Sequence, residues 1–471
     1  MNIACNTNLL RTIILPSILG LSICGCGGSS DITQDDNKDI VDTTPPTLSL
    51  SQSFAPHLID RNTSIIFTFS ESMDTNSLIL DGNLSLESNG GLWVRTNVIN
   101  DTLTITPRAD TTWSTGSSYT LVLDAKDLAG NPLNTLFFDF DVKSGAFIYV
   151  NTAMADDTGN GLTPSTAHKS IHTALTAAQA PATVLVAQGD YNVSYAVNTH
   201  IVIKEGVSIY GGFNANFMQR NTTQYVTTIK ENSEGASSTF SRAIEGSGNE
   251  ITSKTVIDGF TIKGNTHSTP PYYTYAIHLS SGASPTIQNN IIDGGYSEYY
   301  SYAIDNTNAS PTIQNNIING GYTGGDRVGT RIGYSQGISN SDNSSPIIQN
   351  NTIDGGSGGG YSYGVSNSDS SPDILSNIIN GGHGEGYSVG IDNRYSSPTI
   401  QGNSINGGGN GSTSNGVYNS YSSPLIQNNT IDGGNGWFTT YGIHNSNSSP
   451  TIENNAINSG EGEYHYVVYD E

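Results

Sequence analysis

Cysteine, charge and basic side chains are all scarce in this 471-residue chain. The three cysteines, Cys5, Cys24 and Cys26, lie in the first 26 residues, so no disulfide framework or thiolate metal site organises the remainder. Charged residues make up 12% of the chain, about half the usual share. Only 17 are Lys or Arg against 41 Asp or Glu, a formal net charge of −24. A phosphate-binding surface needs clustered cations, so nucleic acid is excluded as a partner. The Glu, Lys, Arg and Leu of long amphipathic helices are likewise sparse. What is present is Asn, Ser, Thr, Ile, 54 Gly and 25 Tyr. The expected class is all-β, secreted and rich in turns.

The N-terminus reads as an address. Leu9–Ile23 is an apolar run broken by Arg11, Pro16 and Gly20, too short to span a bilayer comfortably. Residues 1–25 are therefore expected to be a signal peptide. The run ends in LSICGCGGSS, which resembles the lipobox of bacterial lipoproteins. Cys26 has Ile23 at −3 and small Gly25 at −1, whereas the alternative, Cys24, has bulky Ile23 at −1. The resemblance implies lipid attachment at Cys26 and, since Gly27 rather than Asp follows, an outer-membrane or cell-surface location. Membrane lipid is then a partner through N-terminal acylation. Residues 26–44 are polar and acidic and should form a disordered tether.

Between 45 and 144, short β-branched and aromatic runs alternate with turn residues, including SIIFTF (64–69), TLTIT (102–106) and YTLVL (119–123). That spacing predicts a β-sandwich. FTFSESMD (67–74), Trp113-x-x-Gly116-x-x-Tyr119 and DLAGNPL (127–133) resemble the bacterial Ig-like modules typified by S-layer proteins. The resemblance implies a spacer or presentation module without catalysis. Asp124, Lys126 and Asp127 are read as turn and surface residues.

The dominant signal is an internal period. Ser-Pro recurs with proline at 285, 311, 346, 372, 398, 424 and 450, spaced 26, 35, 26, 26, 26 and 26. Each copy reads roughly SPTIQNNIIDGG, a variable loop, then YGI-x-NS-x-S. A unit with isolated apolar positions cannot bury a face alone, but stacked units can. Successive coils of a parallel β-helix rise about 4.8 Å, with the isoleucines of TIQ and II inward. The I-x-x-N-x-I rhythm resembles right-handed β-helix proteins of the pectate-lyase-like superfamily. Residues 145–471 are expected to form this solenoid, regular from about 276, with SIHTALTAAQA (170–180) as an N-terminal capping helix. DDTGNG (156–161) and the later GVSIYGGF-x-x-x-F-x-x-R resemble the start of extracellular β-helix proteins, including those of the DUF1565 type.

Stacking makes the polar columns predictable. The position before Gly-Gly is Asp293, Asn319, Asp354, Asn380, Asn406, Asp432 and Asn458, so two Asp never fall in adjacent coils. Stacked carboxylates would repel by roughly 3 kcal/mol at an effective dielectric near 20. A second column, Asn306, Asn367, Asn393, Asn419 and Asn445, lies five residues before each proline.

Catalytic signatures are thin. Pectate-lyase relatives use Ca²⁺-binding carboxylates with an Arg base, and polygalacturonase relatives use clustered Asp with Gly-His-Gly and Arg-x-Lys. Gly382-His383-Gly384 is present without the partners, and chance explains it. The longest loop, 322–336, carries Asp326, Arg327 and Arg331, which suggests a sugar or anion contact, or simply a solvated hairpin. Asp156, Asp157 and Asn160 offer hard oxygens of the kind Ca²⁺ takes, although a polar turn explains them more simply. No other cofactor is expected. Nineteen of the 25 tyrosines follow residue 270, many in or beside the inter-strand loops. With the coils in register, Tyr299, Tyr302, Tyr334, Tyr363, Tyr387 and Tyr441, with Trp437, are expected to form a stripe that contacts a glycan or surface protein, or that merely covers the loops. The leading expectation is a non-catalytic surface lipoprotein presenting its rod to such a ligand. The alternatives are a lyase or hydrolase of acidic polysaccharide, with carboxylates such as Asp326 or Asp354, and a structural surface-layer component.

Overall fold

The computed structural model describes residues 42–471, apart from 51–57, 60–63, 83–91, 95–97, 107–112, 114–117, 143–145, 218, 233–238, 268–269, 325–331 and 410. The signal peptide, Cys24, Cys26, Asp326, Arg327 and Arg331 lie outside the described residues.

The first module is a sandwich of two four-stranded sheets. Leu48–Leu50, Ile65–Phe69, Thr102–Ile105 and Leu92–Val94 form one sheet, all antiparallel. Leu58–Ile59, Leu136–Val142, Ser118–Asp127 and Met73–Asp81 form the other. Alternation puts Ile65, Phe67 and Phe69 on the inner face, over fully buried Trp113. Trp113, Tyr119 and Phe140 pack with ring centroids 5.2–5.8 Å apart. Asp127 corrects an expectation. It is a buried residue whose carboxylate accepts from the Asn131 N–H and Nδ2, both at 2.8 Å, which fastens the DLAGN turn.

The rest is a solenoid of three long parallel sheets with the expected 26-residue period. The first sheet is made of the TIQ-type strands, the second of II-Asp/Asn strands and the third of eight-residue YSxGIxNS strands. Each coil sends three aliphatic side chains inward. Ile374, Ile379 and Ile391 do so in one coil, Ile400, Ile405 and Val417 in the next, all essentially buried. Burial at roughly 1.5–3 kcal/mol per side chain, repeated at each rung, is what a single unit lacks. Only the second isoleucine of each II pair points in. Ile291, Ile317 and Ile378 are exposed, because a strand alternates and their neighbours already fill the core.

Three corners close each coil, and each has a left-handed residue. Asn289, Asn315, Asn350, Asn428 and Asn454 turn the chain between the first and second sheets with φ of 53–57°. The second glycine of each Gly-Gly pair, and Gly460 after Ser459 in the last copy, turns it towards the third sheet, with φ of 78–90° from Gly295 to Gly460. The third corner uses Asn308, Asp369, Tyr395, Tyr421 or Asn447. Asn and Asp tolerate this region because their short side chains bond locally.

The polar columns are hydrogen-bonded along the rod. Asn306, Asn340, Asn367, Asn393, Asn419 and Asn445 are buried, and each Nδ2 donates to the next Oδ1 at 2.8 Å until Asn445 meets Asp470 at 2.7 Å. Asn340 joins although it lies six residues before its proline, because Asp342 and Asn343 share an enlarged corner. A further buried column went unread in the sequence. Asn290, Asn316, Asn351, Asn377, Asn403, Asn429 and Asn455 pass Nδ2 to Oδ1 at 3.0–3.1 Å. The column before Gly-Gly sits nearer solvent. Its Oδ1 atoms accept the N–H two residues on, as in Asp354 to Gly356 at 2.7 Å, and Asn380 and Asn458 donate to Asp354 and Asp432 at 2.9 and 2.7 Å. The alternation of Asp with Asn is therefore a bonded arrangement.

The solenoid starts under a short helix, Ile171–Ala177, which buries Ile171, Ala174 and Leu175 against the core. Ser170 caps it by accepting the Thr173 N–H at 3.2 Å. Near it, the fully buried pair Arg220–Asp258 explains the GGF-x-x-x-F-x-x-R segment. Arg220 also donates to the Gly211 carbonyl at 2.5 Å, and its guanidinium lies 5.3 Å over the Tyr210 ring.

Candidate functional site

The outward positions of the third sheet carry most of the tyrosines. They stand in strands rather than in the loops, stacked by the register. At the first strand position Phe240, Tyr273, Tyr300, Tyr334, Tyr361 and Tyr387 form one column, with centroids 4.7–5.3 Å apart. At the third position the column reads Tyr275, Tyr302, Gln336, Tyr363, Val389, Asn415 and Tyr441. Inside such a column each ring covers its neighbours' faces, leaving only edges and hydroxyls for a ligand. The exception is where a column is interrupted.

Both columns are interrupted in the same place. Tyr387 is followed by Thr413, and between Tyr363 and Tyr441 stand Val389 and Asn415. Three coil steps, about 14 Å, separate Tyr363 from Tyr441 along the rod. The gap is a slot of about 360 Å³. Val389 and Asn415 form one side, and the sixth-position residues Asp392, Tyr418 and His444 the other, with Arg394 and Glu471 at its margin.

The electrostatics of the slot centre on Asp392, which is 2% exposed. Arg394 Nε donates to its Oδ2 at 2.9 Å, and the guanidinium lies 5.8 Å from the Tyr418 ring centroid. Burial raises the Asp392 carboxyl above its ordinary value, and the Arg394 charge opposes that rise. Asp392 in turn raises Arg394, keeping it cationic. Among the described residues, Asp392 Oδ1 and Asn415 Oδ1 are buried acceptors with no hydrogen-bond donor. His444 Nε2 lies 3.3 Å from Glu471 Oε1, and burial, outweighing that carboxylate, holds the imidazole below its ordinary value. His444 also stacks on Tyr441 at 4.4 Å. Burial raises Tyr363, so its hydroxyl stays protonated.

Of the residues singled out from sequence, Tyr363, Tyr387 and Tyr441 come together here. Tyr302 and Tyr334 lie higher in the columns, stacked on Tyr275 and on Tyr300 and Tyr361. Tyr299 packs beside Tyr272 and donates to Glu298 at 2.8 Å. Trp437 is 75% exposed outside the slot. Sequence reasoning missed Asp392, Asn415, Tyr418, His444 and Glu471. The available signal was Asp392-x-Arg394, an opposite-sign pair on alternate outward positions of a repeat strand.

Two other places hold residues singled out from the sequence. Asp354 and His383 line a groove of about 650 Å³ with Lys263, Asp293, Asn319 and Tyr322. Its Asp and Asn oxygens cap the Gly-Gly corners, as in Asp293 to the Gly295 N–H at 2.8 Å, a structural duty. Asp156 accepts from the N–H and hydroxyl of Thr158, Asp157 from the N–H groups of Lys169 and Ser170, and Asn160 from the Leu162 N–H and the Thr166 hydroxyl. These bonds shape the turn ahead of the capping helix.

Comparison with known proteins agrees with the two-part build. The bacterial Ig-like domain family matches residues 42–142, and a family described as a protein of unknown function, DUF1565, matches 153–374. No curated protein matches the chain. Similar solved structures include the enzymatically active domain of bacteriophage CBA120 tailspike protein 2, at 13% identity and a TM-score of 0.38, covering 74% of this chain and 51% of that one. The chain thus spans about half of that tailspike domain. A rhamnogalacturonan lyase is 12% identical with a TM-score of 0.38, covering 66% and 88% of the two chains. A family 28 exopolygalacturonase of Yersinia enterocolitica is 11% identical with a TM-score of 0.21, covering 91% and 98%. The chain carries a bacterial Ig-like domain followed by a DUF1565 region that is part of a parallel β-helix.

Proposed function

We propose that the solenoid is a carbohydrate-binding rod whose ligand seats in the slot of the third sheet, without turnover. The observation that carries this reading is the paired interruption of the tyrosine columns at Thr413, Val389 and Asn415, which leaves the Tyr387 face towards Thr413 without a ring partner beside buried hydrogen-bonding groups. A pyranose needs that combination, a flat apolar face for its C–H groups and fixed polar atoms for its hydroxyls. The lipobox-like segment supports a lipid on Cys26, the acidic stretch 26–44 serves as a tether, and the Ig-like module as a spacer at the cell surface. Glycan-array binding followed by calorimetry tests the slot. Binding lost in both Tyr387→Ala and Asn415→Tyr, with the Tm retained, supports it, and unchanged binding removes it.

Asp392 also favours a second reading, catalysis on a polysaccharide. Its carboxyl is raised by burial, as a general acid requires, and His444 and Glu471 line the same slot. Release of reducing or unsaturated ends from a polysaccharide panel, abolished by Asp392→Asn, would establish turnover and sink the binding-only reading.

A further inference from the structure

The unmet buried oxygens of the slot are both acceptors, and the other unmet buried atom there, His444 Nε2, lies 3.3 Å from Glu471. Asp392 Oδ1 and Asn415 Oδ1 are acceptors, both on residues at most 3% exposed, and neither meets a donor among the described residues. An unmet buried acceptor costs about 1–3 kcal/mol, so a ligand that supplies donors gains that much at each. Charge points the same way. Asp392 and Glu471 are the acidic residues of the slot, Arg394 is its one Lys or Arg among the described lining residues, and the Nε of Arg394 is already committed to Asp392. A uronate carboxylate entering here would face the carboxyl groups of Asp392 and Glu471 and the unmet amide oxygen of Asn415.

An ammonium group is the complement. It supplies three donors and no acceptor, it offsets the acidic excess, and it is attracted to tyrosine faces. Sugar hydroxyls supply donors but bring acceptors of their own. We propose that the slot selects an amino sugar, a pyranose bearing a free ammonium group that bonds Asp392 Oδ1 and Asn415 Oδ1 while the ring lies against Tyr387. This rests on the carbohydrate reading above and adds the class of sugar.

The test is calorimetry on the full chain with four probes: glucosamine oligomers, their N-acetylated counterparts, galacturonate oligomers, and spermidine as an amine without a sugar ring. Glucosamine oligomers should bind at least about tenfold tighter than the other three. Asp392→Asn should reduce that affinity about tenfold or more. Because this change also unpairs Arg394, Asn415→Leu is the companion variant; it keeps the ion pair and should lose affinity similarly, with an unchanged Tm. N-acetylated or galacturonate oligomers binding as tightly, in a manner lost in Tyr387→Ala, would overturn the amino-sugar class and leave carbohydrate binding standing. Spermidine matching the glucosamine oligomers would overturn the sugar half of the proposal. Binding of no oligosaccharide would overturn both readings.

Discussion

At the scale of the residue, buried asparagine does in this rod what backbone does elsewhere. Each Asn of the column 306–445 is donor to one coil and acceptor from another, and only the first lacks a donor, because Leu279 stands above Asn306 in register. Replacing Asn367 with Leu keeps the volume but leaves Asn340 Nδ2 and Asn393 Oδ1 unmet. Two such groups at about 1–3 kcal/mol each predict a loss of about 2–6 kcal/mol, read as a shift in the urea midpoint. His444 gives a pH dependence with a defined sign. Burial depresses its folded value below the ordinary 6.5, so on acidification the unfolded chain takes the proton first. Its contribution is full above about pH 6.5 and is lost as pH falls below it. His444→Gln should flatten the fall in the urea midpoint between pH 7.5 and 5, and an unaltered slope would assign it to other groups.

At the scale of the element, columns rather than strands are the units that carry information. The Asp/Asn column before Gly-Gly alternates because each carboxylate needs an amide above or below it, as Asp354 has Asn380. Asn380→Asp would bring two half-exposed carboxylates to the coil spacing. The full repulsion of roughly 3 kcal/mol is discounted by solvent to about 1–2 kcal/mol. Raising salt or lowering pH should restore the loss, and a salt-independent deficit would point to packing instead. This column, the buried asparagines before each proline and the capping helix were legible in the sequence, since each is a repeat or a periodic pattern of residues present. The slot was not. It arises where a pattern fails, at Val389, Thr413 and Asn415, and its chemistry comes from Asp392, Arg394 and His444, which adjoin the slot only once coils 26 residues apart are stacked. The inward and outward isoleucines of II were also inseparable in sequence, because identical residues sit on opposite faces of the second sheet.

At the scale of the whole solenoid, each coil touches the coil above and the coil below, so stability is a sum of local terms. The strands Thr451–Glu453, Ala456–Asn458 and Tyr464–Asp470 pair on one side only, and their Ile452 and Ile457 are half-buried where the equivalent Ile426 and Ile431 are buried. Amide exchange should therefore be fastest in 451–470 and slowest in coils such as 347–394, and uniform protection would contradict a nearest-neighbour rod. Register has a consequence for length. Thr399, Ile400 and Gln401 sit over Leu425, Ile426 and Gln427, and Asn393 bonds Asn419 as Asn367 bonds Asn393. Removing residues 286–311, a copy that contributes nothing to the slot, would juxtapose partners of the same kinds across the seam. The molecule would shorten by about 4.8 Å with every surviving side chain on its former face. The number of copies is thus a ruler, setting how far the slot stands from the start of the solenoid without altering what the slot is.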